Sequence, residues 1–151
     1  MPEITQRVAY KAAQRAKQQT IHQVIDQLMA QRQLLLSRLV KLDHALEADH
    51  RDLAEILRCR LCDDLVDYCS QGHFQAFHYS SVRSGEAAVA SIAALNVTTT
   101  ACIAFNDRFG ASGSVDADTL RSQLAELLEI LETRFEIEDD LLEPAPAAVS
   151  A

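Results

Sequence analysis

The chain has 151 residues, 48% of them hydrophobic and 24% charged, which suits a single domain with a sizeable core. Its formal net charge of -8 repels phosphate groups, so the composition argues against direct nucleic-acid binding and favours a basic partner. No uninterrupted apolar run approaches the ~20 residues that span a bilayer, and the N-terminus is polar. We therefore expect a cytoplasmic protein that does not bind a membrane.

The composition favours helices, because the chain contains only four glycines and three prolines and is rich in Ala, Leu, Gln, Glu and Arg. Residues 1–20 are polar and helix-prone, which predicts an N-terminal helical extension. From Ile21 to about Leu46, apolar residues recur at three- and four-residue spacing and indicate a first amphipathic helix. Arg32 occupies one position of this apolar face, and a buried arginine must be paired.

The second helix is predicted from about Asp49, as its N-cap, to Ser70. Gly72 is expected to end it, because glycine favours the conformation found after a helix. A short extra helix carrying His73 and Phe74 would follow, so the second helix as a whole would be kinked or broken. The residues expected to face inward are Leu53, Ile56, Leu57, Leu61, Leu65 and Tyr68.

The third helix is predicted from about Glu86 to Phe109, with Thr99 on its apolar face. The threonine hydroxyl can donate a hydrogen bond to the carbonyl of a preceding turn. Glycines at positions 110 and 113 indicate a loop, after which Ser114 or Asp116 should cap a fourth helix.

The fourth helix should end at Pro144, and residues 144–151 are predicted to form a disordered tail. Glu138 occupies an apolar position of this helix, as Arg32 does in the first. The predicted fold is all-α, an antiparallel up-and-down four-helix bundle over residues 21–143. We expect Arg32 and Glu138, with Asp64 and Thr99 as further candidates, to meet in a polar network. The plainer alternative is one ion pair that fixes helix register.

Metal, redox and catalytic chemistry find little support. Cys59 and Cys62 have the spacing of a zinc or redox motif, but they lie within a predicted helix and no second pair follows. Free thiols packed as small apolar groups are the favoured interpretation. No nucleophile elbow and no glycine-rich phosphate loop is present, so we predict no cofactor and no enzymatic activity.

Three sequence blocks carry a family resemblance. The run L-V-D-Y-x-S-x-G-H-F extends from Leu65 to Phe74, and L-E-x-R-F-x-x-E-D-x-L extends from Leu131 to Leu141. A weaker block, D-x-x-x-x-x-R-x-x-L-L, begins at Asp26. In order and spacing the chain resembles the Rsd/AlgQ family, the bacterial "regulator of sigma D" proteins. It departs from the family at Gln27, where a tryptophan is usual.

The resemblance implies an anti-sigma factor that regulates transcription by binding region 4 of the primary sigma factor. Region 4 is a basic helix-turn-helix that reads the -35 promoter element. An anti-sigma factor bound to it would prevent DNA and core RNA polymerase from binding there. Asp67 would pair with a basic side chain and Phe74 would fill an apolar pocket. We expect eight residues to contact the partner or to position the helices that do. They are Asp26, Arg32, Asp67, Tyr68, His73, Phe74, Arg134 and Glu138.

Three questions stay open at this level. His73 and Phe74 fit either a core position or a recognition surface. The acidic end of the fourth helix is similar to that of hemerythrin-like bundles, although Arg134 and Phe135 stand where those have histidines. A hemerythrin-like metal protein and an interaction module with another protein target are therefore the alternatives. The sequence is compatible with a monomer or a weak homodimer.

Overall fold

The computed structural model describes residues 2–80, 86–111 and 115–142. Within these ranges, side chains are described outside residues 2–3, 13–21, 71–80 and 86–88. The described residues form four helices and contain no strand, which confirms the all-α prediction. The helices are α1 (Pro2–Glu47), α2 (Arg51–Ser80), α3 (Glu86–Phe109) and α4 (Ala117–Leu142).

A tight reversal joins α1 to α2. The Asp49 amide donates to the Leu46 carbonyl at 3.2 Å, and the His50 amide donates to the Ala45 carbonyl at 2.9 Å. Asp49 has a φ of 58°, so it takes the left-handed conformation. This hydrogen-bond pattern is a Schellman motif that ends α1. The prediction that Asp49 is the N-cap of α2 is therefore wrong, since Asp49 instead closes the preceding helix.

The second helix continues across Gly72 to Ser80 as a single element of 30 residues. The prediction that it ends at Ser70 and is followed by a separate short helix is therefore wrong. A glycine inside a helix costs only about 1 kcal/mol relative to alanine. A cost of that size is too small by itself to decide where a helix ends.

Contacts between the helices fix their directions. Arg32 on α1 binds Asp139 on α4 at 2.8 Å, and Asp43 farther along α1 binds Arg121 near the start of α4 at 3.0 Å. The residue numbers of the partners on α4 fall as the residue numbers on α1 rise, so these two helices are antiparallel. In addition, α2 packs against α1, α3 and α4, and α3 packs against α4.

The apolar core lies between the four helices. Leucines dominate it, and Tyr68, Phe105 and Phe109 are its buried aromatic residues within the described part of the chain. Most predicted inward positions of α2 are buried, but Leu53 and Ile56 are 48% and 50% exposed. Those two predictions are wrong, because α2 carries more apolar residues than its buried face can accommodate.

The third helix ends and the fourth begins at capped termini. The Gly110 amide donates to the Asn106 carbonyl at 2.7 Å, and a Cβ at Gly110 would lie only 2.5 Å from that oxygen. At the start of α4, Asp116 accepts a hydrogen bond from the Thr119 amide at 3.1 Å. Asp116 is therefore the N-cap, one of the two candidates that the sequence offers.

Within α3, the stretch Val89–Phe109 is long and apolar enough to cross a membrane by length and composition, with a mean hydropathy of 1.4. The prediction from uninterrupted apolar runs missed it because threonine and asparagine break the run. In the structure its inner face lies in the core, with Leu95, Cys102 and Phe105 buried. Only 22% of this stretch is buried, and the buried side of α3 packs against α2 and α4.

Candidate functional site

A buried polar cluster lies where α1, α2 and α4 meet, and we call it the polar centre. Tyr68 on α2 donates its hydroxyl proton to the Glu138 carboxylate on α4. Arg32 on α1 reaches the same carboxylate oxygen at 3.5 Å. Tyr68 and Glu138 are 0% and 2% exposed, and Arg32 is 7% exposed. The predicted meeting of Arg32 with Glu138 is thus confirmed.

Arg134 extends the polar centre from α4 to α3. Its Nη1 atom donates to the Thr98 hydroxyl at 3.1 Å and to the Thr99 hydroxyl at 2.7 Å. Both hydroxyls donate in turn to the Leu95 carbonyl. The back-bonding predicted for Thr99 is confirmed. The pair of threonines therefore allows α3 to hold a fully buried guanidinium without any carboxylate of its own.

Aromatic rings line the two arginines. The Arg32 guanidinium lies 4.8 Å from the centroid of the Phe135 ring, and that of Arg134 lies 5.5 Å from the centroid of the Tyr68 ring. The two rings meet edge to face, with centroids 5.9 Å apart. Cation–π contact adds to the charge pairing, since ring faces attract cations most strongly where water is excluded.

Burial shifts the acid–base properties of the polar centre. It raises the pKa of Glu138, and the Tyr68 hydrogen bond and the charges of Arg134 and Arg32 offset part of this rise. The pKa of Tyr68 is also raised, first by burial and then by the nearby Glu138 charge. Tyr68 is therefore a hydrogen-bond donor at physiological pH, which suits a structural role.

Asp64, the further candidate on α2, does not join the polar centre. It forms an ion pair with Arg38 instead, at the interface of α1 and α2. Both side chains of that pair are about one-fifth exposed, at 21% and 23%. The pair joins α1 to α2 and so helps to fix the register of the two helices.

The structure divides the eight predicted site residues into three groups. Arg32, Tyr68, Arg134 and Glu138 come together in the polar centre. Asp26 and Asp67 are exposed, and neither lies in that cluster. The side chains of His73 and Phe74 lie outside the described residues. Gln27, which replaces the usual tryptophan, is exposed on α1 next to Asp26.

Asp67 lines a groove between α2 and α3, which we call the α2–α3 groove. One end has a volume of about 620 Å³ and is lined by the carboxylates of Asp63, Asp67 and Asp107. The other end, about 320 Å³, is apolar and includes Ile103, and Val66 lines both. All three carboxylates are exposed. The groove thus presents negative charge beside an apolar surface.

Arg58 is a buried residue that the sequence reasoning missed. It is 2% exposed, and its Nη1 atom donates to the carbonyls of Phe109 and Ala111 at the end of α3. Glu55, one turn earlier, binds the same guanidinium. A cation at a helix C-terminus satisfies carbonyls that have no partner within the helix. The i,i+3 spacing of Glu55 and Arg58 is the only sequence signal, and it is common on exposed helix faces.

The four cysteines differ in their burial. All four are free, with Cys62, Cys69 and Cys102 buried and Cys59 exposed. Burial raises the pKa of Cys62 to about 11, as expected of a thiol in apolar surroundings. Across the described ranges of the chain, no group of three or more His, Cys, Asp or Glu side chains is placed to hold a metal ion.

Comparison with known proteins places the chain in a family. Residues 8–145 match the family model described as regulator of RNA polymerase sigma(70) subunit, Rsd/AlgQ. Searches of curated proteins and of solved structures found no significant match. The family match spans most of the chain and all three blocks on which the sequence resemblance rests, so that resemblance is confirmed. The chain belongs to the Rsd/AlgQ family of regulators of the RNA polymerase sigma(70) subunit.

Proposed function

We propose that this protein is an anti-sigma factor that binds region 4 of the primary sigma factor. By covering region 4 it would block contact with -35 promoter DNA and with core RNA polymerase. Family membership supports sigma(70) as the target. The observation that carries the choice of surface is the row of exposed carboxylates in the α2–α3 groove, at Asp63, Asp67 and Asp107.

Charge and shape make this groove suitable for a basic helix. Region 4 is a basic helix-turn-helix, and the whole chain carries a net charge of -8. Asp67 would pair with a basic side chain, and the apolar end at Val66 and Ile103 would receive an aliphatic one. Complementary charges accelerate association and orient the partner, while a few buried contacts hold the complex. Asp26, also exposed, would contribute a second acidic contact from α1.

The buried residues have a different role in this proposal. Arg32, Tyr68, Arg134 and Glu138 have no exposed surface large enough to meet a partner, so we assign them to positioning. They join α1, α3 and α4 to α2, the helix that carries Asp67. The same contacts support an up-and-down four-helix bundle over residues 21–143, preceded by an extension at residues 1–20. We place the protein in the cytoplasm and assign it no catalytic activity.

His73 and Phe74 complete the proposed surface. Both follow Asp67 on α2 within two turns of the helix. If Phe74 fills an apolar pocket of region 4, Phe74→Ala should raise the dissociation constant by a factor that corresponds to about 2 kcal/mol. An unchanged dissociation constant in a folded variant would place Phe74 in the core instead.

The direct test measures binding of the full chain to labelled sigma region 4 by fluorescence anisotropy. Asp67→Asn should weaken binding at least several-fold, whereas Asp52→Asn, an exposed residue at the start of α2, removes the same charge and should not. Affinity should also fall as salt rises from about 0.05 M to about 0.5 M, because screening weakens exposed charge pairs. Competition by -35 DNA and by core polymerase tests the blocking step.

Two results would contradict the proposal. One is an affinity that does not change with salt, because the binding would then not depend on the carboxylates. The other is an absence of binding to region 4 at any salt concentration, which would direct the search to another protein target.

A further inference from the structure

The first turns of α1 form a helix with no covered face. All nine described side chains at positions 4–12 are exposed, including Ile4 at 62%, Val8 at 63% and Tyr10 at 66%. We call residues 2–20 of α1 the N-terminal arm. Exposed aliphatic side chains that recur at i and i+4, as Ile4 and Val8 do, are the pattern of a helix face that packs on something.

The arm is basic, whereas the rest of the chain is acidic. Residues 1–20 contain four Lys or Arg residues and one Glu, a net charge of +3. Since the whole chain carries -8, the remaining residues carry -11. Arg7 and Lys11 lie at the spacing that puts them beside Ile4 and Val8 on the helix surface. The arm therefore has a face that combines aliphatic groups with cations.

The α2–α3 groove has the complementary surface. Its acidic end carries Asp63, Asp67 and Asp107, and its apolar end is lined by Val66 and Ile103. Val66 and Ile103 are 43% and 51% exposed, so both are accessible. A helix that presents aliphatic side chains beside cations could bury the former against the apolar end while the latter pair with the carboxylates.

The arm cannot reach the groove of its own chain while α1 stays helical. Arg38 pairs with Asp64, which places the acidic end of the groove at the level of Arg38 along α1. Val8 precedes Arg38 by 30 residues, or roughly 45 Å at the rise of an α-helix. The α1 helix is continuous from Pro2 to Glu47. Any such docking must therefore involve another molecule.

We propose that the N-terminal arm docks in the α2–α3 groove of a second copy of this chain. Reciprocal exchange of two arms would give a dimer in which both grooves are filled. The docked arm would cover Asp67. If the proposed function holds, the arm would then compete with sigma region 4, and this one consequence rests on that function. A single helix in a groove buries little area, and such small interfaces are weak and transient. Self-association should therefore appear at high protein concentration and low salt.

The test measures average molecular mass by sedimentation equilibrium across a concentration series. The wild-type mass should rise toward that of two chains at about 0.05 M salt and return to one chain at about 0.5 M. Arg7→Glu/Lys11→Glu reverses the sign of the charge on the arm. Asp63→Lys/Asp107→Lys reverses the sign of the charge in the groove. Each double variant alone should stay monomeric, and an equimolar mixture of the two should associate again, because each arm then faces a groove of opposite charge.

A matched control separates docking from bulk charge. Lys41→Glu/Arg51→Glu changes two exposed residues outside the arm by the same total charge as the arm variant. It should retain wild-type self-association and should not associate with the groove variant beyond the level of the wild type. Circular dichroism checks that all variants keep their helix content.

Several results would overturn the proposal. They are a wild type that stays monomeric at every concentration at low salt, an arm variant that behaves like the control, or a mixture of arm and groove variants that does not associate. If region 4 binds without dissociating the dimer, the proposal that the arm and region 4 compete for the groove is wrong. If the dimer forms as described but region 4 never binds, arm docking is supported and the proposed function fails. The two claims are thus tested separately.

Discussion

Tyr68 on α2 and Glu138 on α4 are joined by a hydrogen bond in the centre of the molecule, 70 residues apart in the chain. Both side chains are buried, and Glu138 also contacts Arg32 from α1. A buried carboxylate is costly unless donors surround it, and here the donors come from two other helices. One acidic side chain thus fixes how three helices sit relative to one another.

Removing the Tyr68 hydroxyl should destabilise the fold. Tyr68→Phe keeps the ring that packs against Phe135 but deprives Glu138 of one of its donors, so we expect the free energy of unfolding to fall by about 2 kcal/mol. Urea denaturation followed by circular dichroism measures the change. Tyr10→Phe is the matched control. Tyr10 is exposed, so the free energy of unfolding of this variant should stay within about 0.5 kcal/mol of the wild type. Equal effects of the two variants would show that the buried hydrogen bond contributes nothing.

The ionisation of Glu138 should make stability depend on pH in a defined direction. Burial raises the pKa of Glu138 above the ordinary value of 4.5. A group whose pKa is raised by folding stabilises the folded state fully below its unfolded pKa, and this contribution is lost as pH rises through the folded pKa. Glu138→Gln cannot titrate. The free energy of unfolding of the wild type, minus that of Glu138→Gln, should therefore fall as pH rises from about 4.5 toward neutrality.

Urea denaturation of the two proteins at a series of pH values measures this difference. Glu132→Gln, an exposed position on the same helix, shows how much of the change comes from overall charge. A difference that stays constant, or that grows with pH, would mean that Arg32, Arg134 and Tyr68 compensate burial completely.

Arg58 should contribute to stability as much as a core residue. Its guanidinium is the partner of two carbonyls at the end of α3, those of Phe109 and Ala111. Arg58→Met keeps most of the side-chain volume but leaves both carbonyls without this donor, so we expect a loss of about 3 kcal/mol. Arg60→Met, at an exposed position on the same helix, should change stability by less than about 0.5 kcal/mol. Thermal and urea unfolding of both variants would show whether the helix end depends on Arg58.

The polar centre was predictable in part because a charged residue at an apolar position is a distinctive signal. Arg32 and Glu138 both interrupt regular leucine spacing, and the structure brings them together. Arg134 was harder to place, since it neighbours Phe135 and either side chain fits an inward position. The structure buries Arg134 completely and leaves Phe135 half-buried, because Thr98 and Thr99 on α3 supply acceptors that no local pattern reveals.

Helix ends were predicted well only where a single local interaction decides them. The range of α3 and the Asp116 cap follow from glycine and capping residues next to the helix. Gly72 misled the prediction because a glycine costs a helix only about 1 kcal/mol, which is too little by itself to end α2. The burial of Arg58 was not predictable, since the two carbonyls that it binds lie more than 50 residues away.

The left-handed backbone at Asp49 gives a prediction that separates the two interpretations of this residue. Glycine adopts positive φ without steric cost, so Asp49→Gly should raise the free energy of unfolding by about 0.5–1 kcal/mol if Asp49 closes α1. If Asp49 were the N-cap of α2, the same change would give no such gain. Asp52→Gly, in the first turn of α2, removes the same charge together with a favourable helix-dipole interaction, so it should lower the free energy of unfolding. Opposite signs for the two substitutions in urea denaturation would establish the Schellman motif, whereas a loss in both would restore Asp49 to the start of α2.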